Sequence, residues 1–345
     1  MSETPPQDPT AATRKEDHIE LAFRSQVDGL ALDGRFDYEP LLAAHPAPGS
    51  LPSVQFGERT MAAPLWVSSM TGGTEKALTI NHNLAQACAE FGLGMGLGSC
   101  RPLLYDDARL KDFDIRPLTG PDVPLYANLG VAQIEHLFEQ GEEGVIQQLI
   151  DVLRVDGLII HVNPLQEAMQ PEGDVFRATP LATIEATLAA YPNLPIIVKE
   201  VGQGMGPRSL AALLKLPLLA IDTAAGGGTN FSKLELFRSD DTRRATYEPL
   251  VRAGHSATEM VELVNALVQR GPEESIQTQH LIVSGGIQTF LDGYYLTERS
   301  LLPAIYGQAS AFLRYAREDY ATLQHYVSLQ LRGLELAQAY LRPRL

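Results

Sequence analysis

Gly157-Leu158-Ile159-Ile160-His161-Val162-Asn163-Pro164-Leu165-Gln166-Glu167-Ala168-Met169-Gln170-Pro171-Glu172-Gly173-Asp174 starts apolar and turns polar within one residue. The run 157–160 reads as a buried strand. From His161 onward the stretch carries one imidazole, three amides and three carboxylates. Pro164 and Pro171 argue against a regular helix or a central strand here, so the spacing predicts a stiff polar loop. Polar side chains crowded at the end of a buried strand mark a site in an α/β protein. The plainer reading is a capped, solvated loop.

Outward from this stretch the same rhythm recurs. Apolar or β-rich runs stand at 65–69, 92–98, 125–129, 158–162, 196–200, 218–223, 281–284 and 302–306. Helical patterns separate most of them, at 75–90, 142–155, 181–191, 209–216 and 257–269. Eight alternations of short strand and helix predict an α/β fold, a TIM (β/α)8 barrel. An open doubly wound sheet fits less well, because no early strand runs into a dinucleotide fingerprint. Ahead of the barrel, 53–56 and 59–62 read as a hairpin about Gly57-Glu58. Thr13 and Glu16 have capping-box spacing, which predicts an N-terminal helical extension from Arg14 to about Ser25. Residues 1–12, rich in Pro, Thr and Ala, predict a disordered tail. The expected organisation is that tail followed by a single domain over 13–345.

The chain has 345 residues and a formal net charge of −15. Such acidity argues against a nucleic-acid partner and against anionic membrane surfaces. No run is long enough to span a bilayer, and the start lacks a signal-peptide layout. Two cysteines, Cys88 and Cys100, support neither a disulfide framework nor a zinc site, so a reducing cytoplasm is expected. Cys100 reads as a small buried residue, since no adjacent base is evident.

In a barrel, chemistry sits just after each strand, at the C-terminal rim. The rim here reads Ser68-Ser69-Met70-Thr71-Gly72-Gly73, Gly98-Ser99-Cys100-Arg101, Asn128, then His161 with Asn163, Gln166 and Glu167. It continues with Lys199-Glu200, Asp222 to Asn230, Ser284-Gly285-Gly286-Ile287 and Tyr306-Gly307-Gln308-Ala309. The last two loops are glycine-rich, where bare N–H groups can meet a phosphate. Lys199 ends an apolar strand and is costly there without an anionic partner. A reduced flavin ring, negative near N1, would serve; a salt pair with Glu200 is the structural alternative. Asn128 and Ser99 suit the edge of a heterocycle. Glu167 is a candidate Mg²⁺ ligand, since one carboxylate plus substrate phosphate oxygens commonly holds that ion. Arg14, Lys15 and His18 share one side of the first helix, as a site or as a solvated face.

Several of these segments together resemble one family. Arg14-Lys15-Glu16-Asp17-His18-Ile19-Glu20, Ser69-Met70-Thr71-Gly72-Gly73 and Gly98-Ser99-Cys100-Arg101 are similar to segments of the type 2 isopentenyl-diphosphate isomerases. So are 161–173, Val198-Lys199-Glu200-Val201-Gly202, Gly227-Gly228-Thr229-Asn230 and Ser284-Gly285-Gly286-Ile287. The resemblance runs from about residue 13 to about residue 315, and the His-x-Asn-x-x-Gln-Glu-x-x-Gln-Pro-Glu-Gly run is its most specific part. It departs in two places. Cys100 stands where the family has Gln, and 291–306 lacks the usual Ala-Leu-rich helix and Gly-Ala turn.

The resemblance implies a cytoplasmic isomerase of isoprenoid biosynthesis that interconverts isopentenyl and dimethylallyl diphosphate. It implies FMN as cofactor, Mg²⁺, NADPH as reductant, and a homo-oligomer, tetramer or octamer. Arg14, Lys15, Ser99, Arg101 and Gln166 would contact substrate; His18, His161 and Asn163 would position its diphosphate; Glu167 would hold the metal. Met70, Thr71, Gly72, Ser99, Asn128, Lys199, Thr229, Gly285, Gly286, Ile287, Gly307, Gln308 and Ala309 would hold FMN. Gln166, Lys199 and His161 are the expected catalytic residues. Rival readings are another FMN-dependent barrel dehydrogenase or oxidase, and a flavin-free binding or assembly barrel.

Overall fold

The structure, a computed structural model, describes residues 11–69, 71–271 and 275–344. Helix α1 (Ala11–Leu21) leads to a short strand, β1 (Phe36–Tyr38), and then to a hairpin of β2 (Val54–Phe56) and β3 (Arg59–Met61). The barrel begins with β4 (Leu65–Val67), α2 (Glu75–Phe91) and β5 (Gly94–Gly96). Two single-turn helices, α3 (Leu110–Phe113) and α4 (Arg116–Thr119), precede β6 (Leu125–Gly130). Then come α5 (Val131–Gln140), α6 (Gly144–Leu153), β7 (Gly157–His161), α7 (Pro164–Met169), α8 (Pro180–Ala190) and β8 (Ile196–Lys199). Next are α9 (Pro207–Leu214), β9 (Ala220–Asp222), α10 (Phe231–Arg238), α11 (Asp241–Tyr247) and α12 (Ala257–Gln269). The chain closes with β10 (His280–Ser284), α13 (Phe290–Arg299), β11 (Ala304–Gln308), α14 (Ser310–Ala316), α15 (Tyr320–Tyr340) and β12 (Leu341–Pro343).

Strands β4 to β11 are parallel and form a closed ring, β4 pairing with both β5 and β11. This is the expected (β/α)8 barrel. β1 and β12 pair antiparallel, Phe36 opposite Pro343, which fastens the C-terminal segment beside the first strand.

Alternation within the strands builds two apolar layers and one polar layer. In β8, Ile196 and Val198 join the large core shared with the helices, while Ile197 joins a second core inside the ring. That inner core gathers Trp66, Tyr126, Ile159, Ala220, Ile282 and Ile305 from other strands, with Phe56 and Met61 of the hairpin plugging its floor. Side chains on one face of a strand recur every second residue. Two positions beyond these inner residues stand Ser68, Asn128, His161, Lys199, Asp222, Ser284 and Gly307. The mouth of the ring is therefore polar, although the strands leading to it are apolar.

Three local expectations need correction. Pro164 does not forbid a helix: it is the first residue of α7, where its missing N–H costs nothing. Pro171 falls just past the C-cap Gln170, so the two prolines bracket the helix. α1 starts at Ala11 and ends at Leu21, leaving Thr13 inside it rather than at its cap. Residues 290–299 form a helix, α13, opened by a capping box between Thr289 and Asp292, and its sequence is not Ala-Leu-rich. The last barrel strand runs 304–308 rather than 302–306, which puts Gly307 and Gln308 in the sheet. The insert at 231–256 contains α10 and α11, capped by Asn230 and Asp240. It is docked: Leu236 and Val251 share a small apolar cluster with Met169 and Leu165 of α7.

Candidate active site

A cavity of about 340 Å³ opens at the polar mouth, on the side of β8 to β11. Its wall includes Ser68, Ser69, Lys199, Thr229, Ser284, Gly285, Gly286, Ile287, Gly307, Gln308, Ala309 and Arg314. Backbone close approach requires glycine in this wall. Gly285 has φ 82°, and a Cβ there would stand 2.1 Å from the Ala225 carbonyl oxygen. A Cβ on Gly307 would stand 2.5 Å from Ser68 Oγ. Ala224, also in the wall, holds a left-handed φ of 36°, a strained conformation for a residue with a side chain.

Lys199 reaches the cavity from the end of β8, only 7% exposed, and Nζ donates to the Glu200 carbonyl at 2.8 Å. Its neighbours in the sheet are His161 on β7 and Asp222 on β9. The alternative reading, a side-chain salt pair with Glu200, does not form. The Glu200 carboxylate instead accepts the backbone N–H groups of Gly202, Gln203 and Gly204 at 2.7, 2.5 and 2.9 Å, shaping the loop after β8. Asp222 is 1% exposed and accepts a short hydrogen bond from Ser284 Oγ. Burial raises its pKa, and the Lys199 charge, the Ser284 hydroxyl and the Ala224 N–H offset part of that rise.

Two polar clusters rise beside the cavity, one at the ends of β6 and β7 and one on α7. His161 Nδ1 lies 2.9 Å from Asn128 Oδ1, and Asn128 Nδ2 donates to the Leu97 carbonyl at 3.0 Å. His161 keeps a partly open edge, but enclosure of the ring, with the Lys199 charge second, pushes its pKa down to about 3. One turn into α7, Asn163 Nδ2 donates to Glu167 Oε1 at 2.8 Å and to Gln166 Oε1 at 3.2 Å. Glu167, 8% exposed, also accepts the Asp174 N–H at 2.8 Å. Gln166 Nε2 faces Glu235 of α10 at 3.5 Å, and Glu235 is paired with Arg238 at 2.6 Å. Arg101 pairs with Asp174 at 2.9 Å.

The structure thus joins His161 to Asn128 by a hydrogen bond, and separately joins Asn163, Gln166 and Glu167 to Arg101 through Asp174. It brings Lys199, Thr229, Gly285, Gly286, Ile287, Gly307, Gln308 and Ala309 together in the cavity wall. The Gln308 side chain points away, held by Tyr326 Oη at 3.2 Å and by the Ile287 carbonyl at 3.4 Å. Ser99 is exposed at the rim; Thr71 packs against Gly98, and Gly72 against Phe113. These three do not line the cavity. Arg14, Lys15 and His18 are exposed residues of α1. Met70 lies outside the described residues.

The residues present fit a flavin nucleotide. Ser68 Oγ and Ser69 Oγ are buried hydrogen-bonding groups without partners at the cavity wall, and glycine backbone surrounds them. The second region fits a metal completed by substrate. Among the described residues no group of three or more His, Cys, Asp or Glu could hold an ion, so Glu167 would supply one carboxylate and an anionic ligand the rest. Asn163 Oδ1 is buried and unpartnered beside it.

Comparison with known proteins decides the family. The chain is 31% identical over 346 residues to the isopentenyl-diphosphate delta-isomerase of Rickettsia felis, covering 97% of this chain and 94% of the relative. It is 33% identical over 290 residues to that of Rickettsia prowazekii, covering 81% and 79%. The chain belongs to the isopentenyl-diphosphate delta-isomerase family. No family model matches it. Its barrel agrees with the type 2 branch that the sequence motifs resemble. Among solved structures, a mandelate oxidase variant with a monooxide FMN adduct aligns at TM-score 0.54 and 13% identity, covering 90% of this chain and 88% of that one. A variant with benzaldehyde aligns at 0.54 and 14%, covering 90% and 87%. At that identity the likeness is one of fold.

Within this isomerase family frame, sequence reasoning named Cys100 correctly as buried; burial pushes its thiol up to about 12. It gave no role to Asp222, Glu235 or Arg314. Asp222 had a usable signal, since it stands two residues beyond the apolar Ala220. Glu235 and Arg314 sit on helices whose facing partners no local pattern discloses.

Proposed function

We propose that this chain interconverts isopentenyl and dimethylallyl diphosphate over reduced FMN. The carrying observation is the pairing of an acid-free, glycine-walled cavity containing Lys199 with His161 on the neighbouring strand and the Asn163–Gln166–Glu167 cluster beyond it. The relatives' name supplies isopentenyl diphosphate as the substrate.

A carbon–carbon double bond is a very weak base, and protonating it gives a tertiary cation that water would trap. The site must therefore be dry and must hold the substrate by its charged end. When bound, reduced FMN supplies an electron-rich face and a proton-exchanging centre. Lys199 holds a positive charge at the inner wall against an anionic ring. Gln166, fixed between Asn163 and Glu235, presents an amide to the substrate skeleton and can pass a proton along that line. Glu167 and the diphosphate oxygens together hold Mg²⁺. His161 is neutral when the site is empty; two phosphate charges arriving nearby favour its protonated form, which then donates to them. Arg101 adds charge at the rim, and the exposed Arg14, Lys15 and His18 add cationic capacity from α1. Met70, Thr71, Gly72, Ser99 and Asn128 we assign to the edge of the ring.

The working state needs a reductant, for which we assign NADPH. We assign the chain to the cytoplasm, as a homo-oligomer with one domain over 13–345. Among the described residues no helix is long and apolar enough to cross a membrane.

Proton NMR of isopentenyl diphosphate incubated with the protein, FMN, Mg²⁺ and NADPH tests the reading. Dimethylallyl methyl signals are the expected result. Net oxidation of a hydroxy acid instead would favour a flavin dehydrogenase or oxidase. A protein that stays colourless after adding FMN would favour a flavin-free barrel.

A further inference from the structure

The charges in the cavity wall are few and one-sided. Among the described residues that line it there are two cations, Lys199 and Arg314, and no carboxylate. That is a notable local excess in a chain of net charge −15. The two cations come from different places. Lys199 belongs to the polar layer at the end of β8, whereas Arg314 stands on α14, which follows β11, and lines the cavity together with the glycine turn after β10.

Arg314 is exposed, and among the described residues no ion pair engages it. Its guanidinium lies 5.7 Å from the Tyr315 ring centroid. Tyr315 in turn stacks on Tyr326 at 4.2 Å, and the Tyr326 hydroxyl donates to Gln308 at 3.2 Å. The aromatic pair and Gln308 thus brace one unit: the helix bearing Arg314, the end of β11 and, through Gln308 and Ile287, the turn after β10. The loop after β10 brings no charged side chain to the cavity, Gln288 being neutral.

We infer that Arg314 is the counter-charge for the phosphate of the bound flavin nucleotide. This rests on the flavoenzyme reading above and goes beyond it by naming the charged side chain that meets the phosphate. The ring lies toward Lys199, and the phosphate end lies at the bare N–H groups of Gly285 and Gly286, closed from outside by Arg314. A guanidinium forms paired, charge-assisted hydrogen bonds to a phosphate, which glycine N–H groups alone do not match. The N-terminus of α14, seven residues long, supplies no more than a partial charge.

The test uses two flavins that differ only in the phosphate. Apo-protein is titrated with FMN and with riboflavin, following flavin fluorescence, for the native chain and for Arg314→Ala. Arg314→Gln, which keeps the stem and drops the charge, replaces it should the alanine form fail to fold. Expected is an FMN Kd raised roughly ten- to a hundredfold with riboflavin affinity unchanged. The preference for FMN should also weaken with added salt in the native chain and not in the variant. An unchanged FMN-to-riboflavin ratio in the variants would overturn the assignment while leaving the flavoenzyme reading intact. A native chain that binds neither flavin would overturn both.

Discussion

His161 Nδ1 and Asn128 Oδ1 stand 2.9 Å apart on neighbouring strands β7 and β6. The Asn128 amide has only one sensible orientation, because its Nδ2 donates to the Leu97 carbonyl. Its Oδ1 must then accept from His161, so the imidazole carries its proton on Nδ1 and leaves Nε2 bare. Fixing one ring nitrogen sets the chemistry of the other. Asn128→Ala should lower turnover by roughly ten- to a hundredfold even with FMN added to saturation. Steady-state kinetics beside the flavin absorbance checks it; unchanged turnover would mean that the tautomer is immaterial.

Asp222 gives a pH prediction whose sign is fixed. Burial raises its pKa above the ordinary 3.8, so the folded state keeps the proton to higher pH than the unfolded chain does. The stabilisation this brings is present in acid and is lost as pH rises through the folded value. At neutral pH the buried charge therefore costs stability. Asp222→Asn should raise Tm at pH 7 and leave it almost unchanged near pH 3. Thermal unfolding across that range is the measurement, and a lower Tm at pH 7 would show that Asp222 is stabilised by its neighbours after all.

The barrel was legible in the sequence because parallel strands buried on both faces stay apolar along their length. All eight strands fall within about two residues of the predicted runs, and α12 matches at both ends. The short helix α7 was not legible. A proline reads as a breaker unless its position at the first helical residue is known, and the dense polarity of 163–170 hid the turn beneath it. The Gln166–Glu235 contact was equally hidden, since it spans a sequence separation of 69 and depends on how α10 docks against α7. Composition also gave no sign that the Lys199 side chain would leave the Glu200 carboxylate to three backbone N–H groups.

The metal assignment separates from the flavin assignment by location. Glu167 belongs to α7 and is absent from the lining of the glycine-walled cavity. Removing Mg²⁺ with a chelator should therefore stop isomerisation without releasing the yellow chromophore. Glu167→Gln should raise the Mg²⁺ concentration needed for half-maximal turnover by about tenfold or more. Loss of flavin on chelation would mean that the two sites are one.

Lys199 is the buried cation of the cavity, and its replacement tests the inner end. Lys199→Ala should abolish isomerisation while leaving a cooperative thermal transition, because the apolar layer below it contributes the packing. Near-normal turnover in the variant would remove Lys199 from the chemistry.

The central claim is an isomerisation without net redox change at the polar mouth of the ring. Its most direct test is the ratio of dimethylallyl diphosphate formed to NADPH oxidised, measured anaerobically with FMN and Mg²⁺ present. The account predicts many product molecules for each NADPH. One NADPH consumed per product, or an oxidised product in place of the allylic diphosphate, would contradict it.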